Sequence, residues 1–159
     1  MKHLLRLAFF TALLGLGACA QTGYLGDAQI NGAPSDPNSV AYFNQILGDR
    51  VLFAVNENTL STEAQRILDD QADWMLRNME YTALIEGHAD ERGTREYNLA
   101  LGARRAAAVE AYLLSRGISA SRLSTISYGK ERPLEICSAE SCYAQNRRAV
   151  TVLSAGAGS

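Results

Sequence analysis

The chain has 159 residues, 47% apolar and 20% charged, with 13 Gly and 3 Pro. That is the size of one ordinary globular domain, too short for a multidomain enzyme and too poor in Gly and Pro for a collagenous or low-complexity chain. Lys and Arg number 15 against 17 Asp and Glu, so a formal charge of −2 leaves no cationic excess for general nucleic-acid binding.

Residues 1–18 read as a signal peptide. Lys2 and Arg6 flank an apolar run, Leu7 to Leu16, that is too short to cross about 30 Å of hydrocarbon as a helix. Leu16-Gly17-Ala18-Cys19 resembles the bacterial lipoprotein box. In proteins with that box the cysteine receives a lipid on sulfur, the chain is cut before it and the new amine is acylated, so the resemblance implies a lipid anchor on Cys19. Simple secretion, with cleavage after Ala18 or Ala20 and a leftover thiol, is the alternative. Single acyl chains bind membranes only reversibly, and several make attachment stable. Ala20, rather than Asp, after the lipidated cysteine favours the outer membrane in bacteria that sort by this position.

Cleavage would remove Lys2 and Arg6 and no acid, leaving 13 bases, 17 acids, a charge of −4 and one histidine, His88. Cys137 and Cys142 remain. In an oxidising compartment they could close a small disulfide loop; two free thiols are the alternative, because sequence does not supply the Cα distance. Residues 19–36 carry Cys19 and a tether rich in Gly, Ala, Asn, Gln and Pro. The 17 residues from Ala20 to Asp36 would reach roughly 55 Å if extended.

The domain is expected over residues 37–153. Asp36-Pro37 offers an N-cap and a first-turn proline for a short helix, with Val40, Phe43 and Leu47 at helical spacing. Arg50 to Val55 has strand composition. Thr62 and Gln65 suggest a capping box, and Ala64, Ile67, Leu68, Ala72, Met75 and Leu76 mark one face of a helix ending near Arg77. Thr82 to Glu86 reads as a strand ended by Gly87. A second long helix is predicted from about Arg95 to Arg116, with Leu101, Ala108, Val109, Tyr112 and Leu113 on one face and Gly117 at C′. Leu123 to Tyr128 and Ala149 to Leu153 are the remaining strands. The order is βαβ, then αβ and a last strand, an α+β domain with helices covering one side of a small sheet. Residues 154–159 are small and polar, and are expected to form a disordered tail.

Chemistry-bearing residues concentrate in Glu86-Gly87-His88-Ala89-Asp90-Glu91-Arg92-Gly93-Thr94, where a strand ends before a helix. A stable zinc site needs three or four ligands, and one histidine beside two paired cysteines does not supply them, so no metal is expected. No G-x-S-x-G and no G-x-x-x-x-G-K-[ST] is present. His88 with Asp90 or Glu91 could serve as acid and base in a cell-wall hydrolase. The reading preferred for His88 is a buried structural histidine bonded to backbone.

Four segments, taken in order, carry a family resemblance: Glu86 to Asn98, Leu101 to Ala106, Ser127-Tyr-Gly-Lys-Glu-Arg-Pro133, and Asn146-Arg-Arg-Ala-Val150. Together they resemble the peptidoglycan-associated lipoproteins of the Tol–Pal system, within the broader family of OmpA-like peptidoglycan-binding domains. The resemblance spans roughly residues 50–153. It implies a sandwich of helices on one face of a small mixed sheet, no enzymatic activity and no cofactor. The implied ligand is peptidoglycan, at the free end of meso-diaminopimelate in the stem peptide, where one carbon carries an ammonium and a carboxylate.

Matching the motifs assigns Asp90 to the ammonium and Arg105 to the carboxylate, which a guanidinium can hold through two parallel hydrogen bonds. Asn98 and Leu101 align with further pocket residues, and Asn56 with an Asp or Asn after the first strand. Asp90 and Arg105 could instead be an ordinary surface pair. Arg147 could contact ligand or belong to a solvated basic turn formed by residues 146–148. Val55 stands where relatives usually have an aromatic, and the segment Leu134 to Tyr143 with both cysteines departs from the general pattern. The resemblance further implies an outer-membrane anchor through Cys19 with the domain facing the periplasm, and TolB and the Tol complex as partners during envelope constriction at division.

Overall fold

The computed structural model describes residues 34–155. The signal peptide, Cys19, the tether up to residue 33 and residues 156–159 lie outside the described part. Helix α1, Val40–Tyr42, continues into wider π-type turns over Phe43–Gly48. It is followed by β1 (Arg50–Leu52), α2 (Thr62–Arg77), β2 (Tyr81–His88), α3 (Arg95–Ser115), a 3-10 turn (Ala120–Arg122), β3 (Leu123–Gly129), α4 (Glu140–Asn146) and β4 (Arg148–Ala155).

The strand order is β1-β4-β2-β3. β4 is antiparallel to both β1 and β2, whereas β2 and β3 run parallel. Parallel neighbours need a long crossover, and the 21 residues of α3 provide it. The expected chain order, βαβ, then αβ and a last strand, is observed, with α4 added before the last strand, which inserts between β1 and β2 in the sheet. β4 also runs to Ala155, so Ser154 and Ala155, read as tail, pair with Thr82 and Tyr81.

Helices α2 and α3 cover one face of the sheet. On that face Val51, Ala83, Ile85, Ala149 and Thr151 are buried, while Leu52, Ile126 and Val152 on the other remain substantially exposed. Burying the helix-facing set is the main stabilising contribution, at about 25 cal/mol per Å² of apolar surface removed from water. Trp74, at the end of α2, lies between the Phe43 and Tyr81 rings, each centroid 5.1 Å away. Its indole N–H donates to the Pro37 carbonyl at 2.8 Å, satisfying the polar edge of a fully buried ring. Leu76, expected on the buried face, is exposed.

Two helix starts lie later or earlier than their sequence signals. The first helix is capped by Ser39, whose hydroxyl accepts from the Tyr42 N–H, and Asp36 instead accepts from the Asn38 N–H in a turn before it. Helix α2 is capped by Ser61, whose hydroxyl accepts from the Ala64 N–H, one residue ahead of the Thr62 frame. At the end of α3, Gly117 has φ +96, and the Gly117 and Ile118 N–H groups donate to the Leu114 and Leu113 carbonyls. That is a Schellman closure, which needs a left-handed residue and so favours glycine.

Paired strand β1 is shorter than its composition predicts. Beyond Leu52 the Phe53 and Ala54 carbonyls accept from arginine side chains, and the chain is diverted toward the loop that ends β2.

Candidate functional site

The site is assembled from three chain segments at one end of the sheet: the exit of β1, the loop after β2 and the entry to β4. Helix α3 lies beneath them. Positions Leu101, Arg105, Val109 and Leu113 follow at intervals of four and all are buried, so the guanidinium of Arg105 occupies the core-facing stripe of an apolar helix. A charge there requires hydrogen-bonding partners. Arg105, with no solvent exposure, donates to the Glu57 carbonyl at 2.8 Å, His88 at 2.8 Å and Ala54 at 3.2 Å. One side chain thus fastens the β1 exit to the end of β2.

Asp90 is buried in the loop immediately beyond β2. Its carboxylate accepts from the Arg92 guanidinium at 2.6 Å and from the Arg92 backbone N–H at 3.1 Å. Arg147, entering β4, donates to the same carboxylate at 3.3 Å, to the Phe53 carbonyl at 3.0 Å and to Glu140 of α4 at 2.6 Å. Arg105 and Arg147 therefore grip successive carbonyls, Ala54 and Phe53, from two sides of Asp90.

The electrostatics express this convergence. Burial alone would raise the Asp90 carboxyl, but the hydrogen bonds from Arg92 and Arg147 outweigh it and hold the group below its ordinary value. Burial lowers Arg105 to about 10; the Asp90 charge opposes that shift and the Arg147 charge adds to it. At that value Arg105 is fully protonated at neutral pH.

The remaining expected residues divide. Asn98, fully enclosed, donates to the Arg92 carbonyl at 2.8 Å and so holds the Asp90 loop. Leu101 is buried on the same helix. Asn56 is exposed at the rim, in the left-handed region at φ +56, where Asn is among the better tolerated residues; its side chain reaches the Tyr97 hydroxyl only at 3.5 Å. Residues 146–148 are not a solvated basic turn: Asn146, Arg147 and Arg148 are all buried. Asn146 accepts from the Leu134 and Glu135 N–H groups and donates to the Glu135 carbonyl, fixing the approach to α4. Cys137 and Cys142 are joined in a disulfide, with Cα atoms 5.8 Å apart, across the first turn of α4.

His88 departs from its expected bonding. It is 2% exposed, but neither ring nitrogen has a hydrogen-bond partner, and Nε2 stands 3.6 Å from Glu86. Burial, then the charges of Arg148, Arg132 and Arg50, lower it to about 4. Its carbonyl rather than its ring serves the site.

Sequence reasoning did not single out Arg92, Glu140, Tyr143 or Lys130. Arg92 stacks over the Tyr143 ring, 4.6 Å from its centroid, and lies 3.7 Å from Glu140. Lys130 donates to the Glu91 and Gly93 carbonyls, clasping the loop. Glu140 opens α4 and Arg147 is the residue that caps its end, and no sequence signal paired them, because the short helix between them has no apolar stripe.

A four-stranded mixed sheet with helices on one face, carrying an Asp and Arg site where β2 ends, defines an OmpA-like domain. Residues 52–147 match the model of the OmpA family, and the chain belongs to that family. It is 50% identical over 152 residues to the peptidoglycan-associated lipoprotein of Mesorhizobium japonicum, covering 93% of this chain and 90% of that protein. Over 153 residues it is also 50% identical to the protein of the same name from Agrobacterium fabrum, covering 93% and 86%. The crystal structure of the peptidoglycan-associated lipoprotein from Burkholderia pseudomallei superposes with a TM-score of 0.67 at 35% identity, covering 76% of this chain and 98% of that one.

Proposed function

We propose that this chain is an outer-membrane lipoprotein whose domain binds peptidoglycan without catalysis. The ligand is the free end of meso-diaminopimelate: Asp90 receives the ammonium, and the positive charge of Arg105 and Arg147 receives the carboxylate. The observation that carries this reading is the buried Asp90 carboxylate, bonded by Arg92 of its own loop and by Arg147 from the entry to β4, in the field of the buried Arg105 of α3. An ammonium and a carboxylate on one carbon require both signs within a few ångströms, and this loop cluster offers both. The names of the relatives point the same way. Asn98, Leu101 and Asn56 shape the loops around the pair.

Lipid on Cys19 would hold the chain in the outer membrane with the domain in the periplasm, so that reversible binding links membrane to wall. TolB and the Tol complex are the partners this reading assigns, with exchange between TolB and wall during envelope constriction at division. A wall hydrolase built on His88 fits less well, because that ring is buried and stays neutral far below neutral pH.

Sedimentation of the purified chain with isolated peptidoglycan tests the reading. Asp90→Asn should cost about 2–5 kcal/mol of affinity, since the ligand ammonium would be desolvated opposite a neutral amide. Arg105→Ala should also abolish binding, although it removes three carbonyl bonds as well, which makes Asp90→Asn the cleaner variant. Excess diaminopimelate should release the wild-type chain. Soluble wall fragments, or binding indifferent to Asp90→Asn, would refute the proposal.

A further inference from the structure

The ion pairs at the site have an asymmetry that the proposed binding leaves unexplained. Asp90 and Arg147 are enclosed, their side chains 10% and 7% exposed. Their strongest partners are not. Arg92, 44% exposed, bonds Asp90 at 2.6 Å; Glu140, 59% exposed, bonds Arg147 at 2.6 Å. These two exposed groups also pair with each other at 3.7 Å.

The outer pair therefore carries a cation on the buried carboxylate, an anion on the buried guanidinium, and a short separation between the two charges. An amino-acid head group would present the same arrangement. Two surface cavities elsewhere, of about 210 and 200 Å³, are lined by residues including Arg50, Leu52 and Ile67, and Leu99, Tyr128 and Lys130; neither includes Asp90, Arg105 or Arg147. The charged groups of the site are covered by its own side chains.

We propose that Arg92 and Glu140 form an internal surrogate ligand, a latch that the ammonium and carboxylate of the incoming amino-acid end displace. The inference rests on the zwitterion reading of the site given above. Displacement exchanges one cation for another at Asp90 and one anion for another at Arg147, so neither buried group is left unpaired. The displaced partners are free to move toward water, since both are already substantially solvated.

Glu140 is mounted on a different element from the pair it covers. Arg92 shares the loop of Asp90, so its guanidinium leaves by rotation of the side chain while its backbone N–H keeps the carboxylate. Glu140 opens α4, whose first turn is cross-linked by Cys137–Cys142, and Tyr143 of the same helix carries the Arg92 guanidinium on its ring. Arg92 belongs to the loop held by Asn98 and Lys130. Each half can move while Arg147 keeps its bond to the Phe53 carbonyl and Arg105 keeps its three carbonyls.

A surrogate competes with the ligand, whereas a direct contact assists it, so the two roles give opposite signs. Binding of free meso-diaminopimelate to the full chain in detergent, followed by calorimetry, reads the sign. Arg92→Gln and Glu140→Gln should each tighten binding about two- to fivefold, the range for releasing a largely exposed ion pair. The double variant should gain no more than the product of the singles, since breaking one half already loosens the other. Glu140→Gln is isosteric, Arg92→Gln shortens the side chain while keeping it polar, and both positions are exposed. If the parent chain takes up no diaminopimelate, the zwitterion reading fails and the latch with it. If the parent binds and Asp90→Asn abolishes binding, but neither Arg92→Gln nor Glu140→Gln tightens it, the latch alone is overturned.

Discussion

His88 makes acid stability a direct test of the packing around the end of β2. The ring is buried beside Tyr128, lacks a hydrogen-bond partner at either nitrogen, and sits in the field of Arg148, Arg132 and Arg50. It titrates near 4 in the folded chain, against an ordinary value of 6.5. Between those values the unfolded chain binds a proton that the folded chain refuses, so stability rises with pH there and falls as the solution is acidified. The loss from this one residue amounts to about 2–3 kcal/mol on going from neutral pH to about pH 4.5.

Replacing the ring by one that cannot titrate should remove that loss. His88→Phe forfeits no hydrogen bond and keeps an aromatic face against Tyr128, so near neutral pH its stability should lie within about 1.5 kcal/mol of the parent. At about pH 4.5 the variant should gain about 2–3 kcal/mol relative to that neutral-pH difference. Urea denaturation of both chains across this range measures it. The Asp90 carboxyl is held below its ordinary 3.8, so its contribution is intact above that value and lost only at lower pH, outside the His88 window. Parallel loss of stability in the two chains between pH 7 and 4.5 would refute the claim that the ring is held neutral. Release of soluble wall fragments by the parent chain, lost in the variant, would separately reveal a hydrolytic role for His88.

Gly87→Ala should destabilise the domain by about 3 kcal/mol in chemical denaturation, because a Cβ there would overlap the Gly102 carbonyl across the contact between β2 and α3. The same shift would separate the His88 carbonyl from Arg105, so wall binding should weaken along with stability. Replacing Cys137 and Cys142 together by Ser frees a short loop, at a cost of about 2 kcal/mol in chain entropy. It should loosen Glu140 and tighten diaminopimelate binding in calorimetry, the direction expected of Glu140→Gln.

Much of the fold is legible in the chain because burial imposes periods. Leu101, Val109 and Leu113 mark the buried face of α3 at helical spacing; Arg105 falls on the same face, but only the motif match singled it out, and its burial is a finding of the structure. Gly117 announces the end of the same helix. Strand pairing was not legible: composition identifies Ala149 to Leu153 as strand-forming but does not say that it enters between β1 and β2. Helix α4 was missed because its seven residues, Glu140–Asn146, present no apolar stripe and are held by a disulfide and by Asn146. The frame error at Ser61 has a similar origin, since adjacent Ser and Thr both satisfy the capping pattern. As for the site, no spacing rule brings Asp90 to Arg105 and Arg147, 15 and 57 residues away; the sheet does so by returning β4 beside β2.

On the proposed reading, the arrangement bears on why a link between membrane and wall would be both specific and releasable. Enclosed charges are expensive to leave unpaired, which rejects guests lacking either the ammonium or the carboxylate. That same cost would make the empty state unstable if the site had no occupant of its own. Arg92 and Glu140 remove the problem by pairing Asp90 and Arg147 in the absence of ligand. Affinity then reflects the difference between two zwitterions in one setting, a small quantity, while a guest that displaces both halves of the outer pair but carries only one charge leaves a buried ion stranded. Single substitutions in the outer pair should accordingly alter how tightly the chain holds, and substitutions in the inner pair whether it holds at all.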